Sequence, residues 1–316
     1  TPPVLFSVTS NCRHTRARKA IRETWGTDAV KYASKVLFFV GHHDECDEVV
    51  AKELQDHGDV VVLSNVPESY GNLPLKTLSM FEYVAKHHGD DFKFIAKVDD
   101  DVFVDHYSLF KLVAQAQSKR HPAEYMGFFH NGTVPVKKPG CKWYDENYDM
   151  DLYPPYAGGM FYLVSARIVR WVASNAHDFA LWANEDSSFG TWVQSLDPVI
   201  FHFPQVWPSR VYAVHQVAPP AAIHVEWATG QGVQKGWEDD GPVADMMYKM
   251  AKHQASFNVP FGQCADSLIS NFDSKMQTSY HETFGELYTS PTGFSESRME
   301  ALKCRASETK LSGKTL

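Results

Sequence analysis

The chain has no Cys-x-x-Cys pair among its five cysteines, Cys12, Cys46, Cys141, Cys264 and Cys304. That spacing argues against a structural zinc site, and the odd number leaves at least one thiol free or paired with another chain. No apolar run is long enough to span a bilayer, and the N-terminus lacks the layout of a signal peptide. Positive charge is in deficit: 30 Lys and Arg stand against 38 Asp and Glu, a formal net charge of −8. The chain therefore has no general attraction for nucleic acid or acidic membranes. Internal repeats are absent too. With 44% apolar residues over 316 positions, there is enough to bury a full core, as one large domain or two small ones.

The first half alternates between short apolar runs and longer amphipathic ones. Strands are predicted at 4–10, 36–40, 59–63 and 93–98, and helices near 14–25, 44–57, 74–88 and 105–119. That rhythm predicts an α/β fold with a mostly parallel sheet and helices on both faces. Residues 127–157, rich in Tyr, Pro, Gly and Asp, read as irregular. A strand at 160–164, a helix at 165–175 and a short helix beginning at Asp186 restore order. Beyond about residue 240 the pattern weakens, and 241–316 is expected to be a helical or loosely ordered extension. The first strand starts at Val4, so any anchor or targeting segment is expected upstream of this sequence.

The segment richest in chemistry is Phe94-Ile-Ala-Lys-Val-Asp-Asp-Asp-Val-Phe-Val104. A buried strand ends there in three consecutive carboxylates, Asp99, Asp100 and Asp101. Adjacent acids repel and cost desolvation. A hard divalent cation, Mn²⁺ or Mg²⁺, would make them favourable and would bridge to phosphate. A solvated turn is the bland alternative. In parallel sheets ligands bind beyond the carboxyl ends of strands, where this triplet sits.

Four further segments bear on a site. In Arg16-Ala-Arg-Lys-Ala-Ile-Arg-Glu-Thr-Trp25, Arg18 and Arg22 share a helix face directly after the first strand and can face a diphosphate, or form a solvated basic face. Two glycines in Tyr153-Pro-Pro-Tyr-Ala-Gly-Gly-Met-Phe-Tyr162 permit close backbone approach to a ligand, or make an ordinary turn. Asp186, in Asn184-Glu-Asp-Ser-Ser-Phe-Gly-Thr-Trp192, is either a helix N-cap or a general base. His224, in Ala222-Ile-His-Val-Glu-Trp227, is a candidate second metal ligand, with His215 and His202 behind it. Asn131-Gly-Thr133 is a glycosylation sequon of a kind that often arises by chance.

In this order the segments resemble the β-1,3-glycosyltransferases of glycosyltransferase family 31. The matching pieces are Arg-Lys-Ala-Ile-Arg-Glu-Thr-Trp-Gly (18–26), Glu-Ser-Tyr-Gly-Asn-Leu-Pro-Leu-Lys-Thr (68–77), Lys-Val-Asp-Asp-Asp-Val-Phe (97–103), Lys-Trp-Tyr (142–144), Tyr-Pro-Pro-Tyr-Ala-Gly-Gly (153–159) and Glu-Asp-Ser-Ser-Phe-Gly (185–190). Gly71, Pro74, Met160, Ser187 and Ser188 depart from the family pattern.

The resemblance implies a GT-A fold, with a Rossmann-like sheet over 1–240 divided into a nucleotide-sugar half (1–105) and an acceptor half (106–240). It also implies inversion at the anomeric carbon. Asp101 is expected to bind Mn²⁺ (or Mg²⁺) with His224, and Asp99 and Asp100 to contact the donor. Arg18, Arg22 and Lys76 are expected on the donor side, and Asp186 as the catalytic base. The expected partners are a UDP-sugar, UDP-galactose first and UDP-N-acetylglucosamine as the alternative, and a glycan or glycoconjugate acceptor. No nucleic acid and no membrane contact by this segment are expected. The expected setting is the Golgi lumen, in a type II membrane protein. Two other classes compete. A metal-dependent phosphohydrolase would release product from donor alone, and a non-catalytic glycan-binding module would have lost the base or the metal acids.

Overall fold

The computed structural model describes residues 3–139, 143–203 and 213–215. In chain order the elements are β1 (Val4–Thr9), α1 (Thr15–Glu23), α2 (Trp25–Lys31), β2 (Lys35–His42), α3 (Asp47–His57), β3 (Val60–Pro67), α4 (Leu73–His88) and β4 (Phe94–Asp99). There follow β5 (Val102–Val104), α5 (His106–Gln117), β6 (Tyr125–His130), β7 (Tyr156–Ser165), α6 (Ala166–Ser174), α7 (Glu185–Val193), β8 (Ile200–His202) and β9 (Ala213–His215). Seven strands form one sheet in the order β3-β2-β1-β4-β7-β6-β8, and β5 pairs with β9 in a separate ribbon.

The sheet is mostly parallel, as the alternation predicts. β3, β2, β1 and β4 run together, while β7 pairs antiparallel with both β4 and β6. Strand side chains alternate between faces, and each face has its own helices. Val4, Phe6, Val8, Phe38, Phe94 and Val98 pack with Ile21, Trp25, Leu109 and Val113. Leu5, Leu37, Phe39, Ile95, Tyr162 and Val164 pack with Leu78, Phe81, Ile168, Val172, Phe189 and Trp192 on the other side. All six residues of β1 are buried, which is why that strand reads as an apolar run and not as an alternation. Together these features make the fold of the GT-A type.

Local chemistry explains where the element boundaries fall. The predicted helix near 14–25 breaks at Thr24, whose hydroxyl donates to Ala20 O at 2.6 Å. α2 then turns back so tightly that a Cβ on Gly26 would lie 2.6 Å from Ile21 O. Pro74 occupies the first turn of α4, where its missing N–H costs nothing. This departure from the family pattern is therefore structurally neutral. α3 ends on Gly58 at φ 66°, a left-handed closure that glycine adopts freely.

Two strands extend into the stretch predicted to be irregular. β6 runs to His130, and β7 begins at Tyr156, four residues before the predicted strand. The misleading residues are glycines. A Cβ on Gly127 would sit 2.7 Å from the Ala157 Cβ, so this glycine lets β6 pass close to β7 and does not end the strand. The β6–β7 register shifts at the same place, between Gly127 and Phe129. The predicted extension 241–316 lies outside the described residues.

Candidate active site

The carboxylate triplet forms where the parallel strands end. Asp99 closes β4, beside the last residue of β1, and Thr9 Oγ1 donates to Asp99 Oδ1 at 3.2 Å. Ser10 Oγ donates to Asp100 Oδ2 at 2.7 Å, and His14 Nδ1 lies 2.8 Å from the same oxygen. Burial works to raise the Asp100 carboxyl, but His14, the Ser10 hydrogen bond and the Arg18 charge together hold it below the ordinary range. Asp101 goes the other way. Burial, and then the charges of Asp99 and Asp100, push its carboxyl up to about 8. Asp101 thus stands where more positive charge would be welcome, and its donor set is hard oxygen, which suits Mg²⁺ or Mn²⁺.

The two predicted arginines diverge. Arg18 is fully buried. Its Nε and Nη2 donate to Glu53, its Nη1 to Ser10 Oγ at 2.9 Å and Asn11 O at 2.5 Å, and its Nη2 also to Cys12 O at 3.0 Å. Its hydrogen-bonded route to Asp100 runs through Ser10. Arg22 shares Glu53 with it at 2.6 Å, but its Nε and Nη2 donate to Asp59 at 2.8 and 2.7 Å and it lies over the Phe38 ring. Asp59 adjoins β3, three strand spacings from β4, or about 14 Å at ~4.8 Å each. The shared helix face is present, then, but Arg22 is not brought to the triplet.

Lys76, in α4, is buried as well. It donates to Ser10 O at 2.9 Å and to Glu68 Oε1. Burial lowers its ammonium, against the opposing pull of Glu68. Glu68 Oε2 in turn accepts from Cys12 N at 3.1 Å and Gly41 N at 2.9 Å. A Cys12–Cys46 disulfide ties the same loop to the start of α3. Lys76 therefore braces the segment that orients Ser10.

Asp186 is the second residue of α7; the N-cap position belongs to Asn184. The bland alternative for Asp186, a helix cap, does not apply. Its carboxylate accepts from Gly159 N at 3.2 Å and Ser187 N at 2.8 Å. The glycine pair matters at Gly159, where a Cβ would lie 2.9 Å from Glu185 Oε2 and 3.4 Å from the Asp186 Cβ. The antiparallel pairing of β7 with β4 brings this second acidic group toward the triplet.

Three residues of this region were not singled out in the sequence. Lys97, buried on β4, donates to Asp99 Oδ1 and Gly159 O, each at 2.5 Å, and lies 3.4 Å from Glu185 Oε2. Burial works to lower its ammonium, yet Asp99 and Glu185 hold it above the ordinary lysine range. Glu185 accepts from Tyr162 OH at 2.7 Å. Burial pushes its carboxyl up to about 7, with Lys97 pulling down and Asp186 adding to the rise. Tyr70, at the rim, has its phenol pushed up to about 12 by desolvation and then by Asp186 and Asp99. The available signal was position, since each lies inside a matching motif and two directly adjoin a named acid or lie two residues from one.

Of the histidines, His224 lies outside the described residues. His202 is on β8, at the far edge of the sheet, and its Nδ1 accepts from Phe129 N at 3.2 Å. His215 is on β9, whose backbone pairs with β5 so that position 215 stands opposite Val102, next to Asp101.

Comparison with known proteins agrees with this architecture. The galactosyltransferase family model matches residues 16–202. Mouse beta-1,3-galactosyltransferase 6 is 30% identical over 206 residues, covering 63% of this chain and 62% of the relative. UDP-GalNAc:beta-1,3-N-acetylgalactosaminyltransferase 2 of Xenopus laevis is 32% identical over 152 residues, 48% of this chain and 30% of the relative. Mouse beta-1,3-galactosyltransferase 1 is 28% identical over 244 residues, 72% and 73% of the two chains. The first of these matches thus spans less than two thirds of its relative, and the second less than one third. With the family model covering more than half of its residues, the chain belongs to the galactosyltransferase family, the glycosyltransferase family 31 that its ordered motifs resemble.

Proposed function

We propose that the protein is a divalent-cation-dependent, inverting β-1,3-glycosyltransferase that moves galactose from UDP-galactose to a glycan hydroxyl. The observation that carries this reading is the meeting of two acidic groups from different elements. The triplet at the end of β4 and Glu185-Asp186 at the start of α7 are joined through Lys97 and Gly159. An inverting displacement needs one group to bind the leaving diphosphate and a separate carboxylate to activate the attacking hydroxyl.

In this reading Asp186 takes the proton of the acceptor hydroxyl as that oxygen attacks C1 of the donor sugar. The C1–O bond to the diphosphate breaks on the opposite face, and UDP leaves. Asp99 and Asp100 orient the donor. Arg18 and Lys76 fix the Ser10–Cys12 segment beneath it, and Arg22 contributes through Glu53. Asp101 would hold the cation together with a histidine, His224 or His215, and the β5–β9 pairing sets position 215 opposite Val102, next to Asp101. When bound, Mn²⁺ or Mg²⁺ supplies Lewis-acid neutralisation of charge growing on the diphosphate.

The names of the relatives support a β-1,3 linkage and divide between galactose and N-acetylgalactosamine donors. An N-acetylhexosamine donor, with UDP-N-acetylglucosamine among the candidates, is the second reading. A non-catalytic glycan binder is disfavoured by the presence of both acidic groups. The Cys12–Cys46 disulfide supports an oxidising compartment such as the Golgi lumen. Among the described residues no helix is long and apolar enough to cross a membrane.

The test is UDP release with Mn²⁺ across UDP-galactose, UDP-N-acetylgalactosamine, UDP-N-acetylglucosamine and UDP-glucose, with and without β-linked galactoside, xyloside and N-acetylhexosamine acceptors. Release that needs both metal and acceptor, from one donor, and that Asp186→Asn abolishes while UDP binding persists, is the expected result. Release independent of acceptor would favour a hydrolase, and wild-type turnover in Asp186→Asn would remove that residue as the base.

A further inference from the structure

We propose that Lys97 is a positioning residue for transfer, a single buried ammonium that fixes the donor-side carboxylates and the acceptor-side base relative to each other. The inference rests on the reading of Asp186 as the base.

The geometry is specific. An ammonium has three N–H donors, and Lys97 faces three acceptors: Asp99 Oδ1 at 2.5 Å, Gly159 O at 2.5 Å and Glu185 Oε2 at 3.4 Å. Two hydrogen bonds and one ion pair hold this ammonium, whose side chain is buried. It acts through its neighbours and is not itself a catalytic residue. Two of those neighbours lead to the reaction centre from opposite sides. Asp99 belongs to the triplet. Gly159 uses its N–H to hold Asp186 Oδ2 at 3.2 Å while its C=O is held by Lys97. Glu185 is the residue before the base and shares the first turn of α7.

A lysine buried to this degree is rare unless paired, and simple pairing needs one carboxylate. Here two carboxylates from separate elements converge on one cation. Take the charge away, and nothing ties the half-buried Asp99 to the buried Glu185. The two groups then part, and the distance from the base to the donor's anomeric carbon changes with them. Displacements of about 1 Å at a reacting pair can cost about 100-fold in rate.

The shared tie makes a non-additive prediction in two backgrounds, which two independent packing roles would not produce. Lys97→Met, Glu185→Gln and the double variant are compared with the parent and Asp186→Asn for kcat, donor KM, UDP–Mn²⁺ binding and thermal unfolding. Lys97→Met should lose roughly 100-fold in kcat while UDP binding changes far less. Glu185→Gln alone should lose roughly 10-fold in kcat at unchanged donor KM, because it cuts the tie to α7. In the Lys97→Met background the same Glu185→Gln change should cost less than about 2-fold, because the tie it cuts is already gone.

Parental kcat in a folded Lys97→Met protein overturns the proposal, as does Glu185→Gln lowering activity equally in both backgrounds. If Lys97→Met does not fold, Glu185→Gln alone decides, and an unchanged kcat there overturns it. A parent without acceptor-dependent turnover overturns the transferase reading and this inference with it. An active parent beside a fully active Lys97→Met overturns this inference alone.

Discussion

Replacing Arg18 by methionine separates a donor contact from a structural support. The guanidinium is fully buried and makes six hydrogen bonds, three of them to Glu53. Methionine fills much of the volume but leaves Glu53 with Arg22 alone. Breaking a buried ion pair by removing one partner costs about 3–5 kcal/mol. For a domain of this size that is a fall in Tm of roughly 6–20 °C. The acid dependence should change as well. Burial works to raise the Glu53 carboxyl, but hydrogen bonds and charges from Arg18 and Arg22 hold it below its ordinary value. A depressed carboxyl stabilises the fold above its unfolded pKa, and that stability is lost as pH falls through the folded value. Arg18→Met should therefore flatten the acid side of the stability curve. The assay is urea unfolding between pH 3 and 7, with Arg18→Met, Glu53→Gln and the pair, alongside UDP binding. The pair should cost less than the sum of the singles. If Arg18→Met is less than about 1 kcal/mol less stable yet loses more than tenfold in donor affinity, the guanidinium faces the donor and the structural reading fails.

Three further outcomes are expected. Gly159→Ala should place a Cβ 2.9 Å from Glu185 Oε2, lowering stability by about 1–3 kcal/mol and kcat by roughly 10–100-fold, with UDP affinity kept; parental kcat would contradict the close packing. His106 is buried, and desolvation lowers its ring to about 4. The unfolded chain therefore binds the extra proton between about pH 6.5 and 4, and stability should rise with pH across that window by about 3 kcal/mol; His106→Phe should remove that slope in pH-resolved unfolding. Cys12→Ser/Cys46→Ser, which opens a cross-link between residues 34 apart, should cost roughly 4 kcal/mol by calorimetry, and an unchanged Tm in reducing and oxidising buffer would show that the bond does not form.

The sequence carried the sheet well because burial there is close to all-or-none. Runs such as Val4–Thr9 and Phe94–Val98 are mostly apolar and are buried on both faces, as central strands are. It also carried the acidic positions, since three adjacent aspartates at a strand end need an explanation wherever they occur. What it could not carry were relations between elements. Nothing in the periodicity of α1 distinguishes Arg18, turned inward on Glu53 and Ser10, from Arg22, turned toward Asp59. That choice is made by β3 and α3, which are distant in sequence. Gly127 falls in the stretch that reads as irregular, and Gly159 reads as a ligand approach or a turn, whereas here each clears space for a neighbouring element. Lys97, one lysine in an apolar strand, looks like a blemish until Glu185, nearly ninety residues later, is folded beside it.

The β5–β9 ribbon has a consequence for the order of assembly. Val102 pairs with His215 across 113 positions (215 − 102 = 113), whereas every strand of the main sheet has been made by residue 202. A chain emerging from the ribosome N-terminus first can thus complete its seven-stranded sheet before the strand that flanks the triplet exists. The cost of closing so long a loop grows only slowly with length, so the late pairing is a matter of timing more than of affinity. A newly made molecule would pass through a stage in which the sheet is finished and the strand after the triplet still lacks its partner.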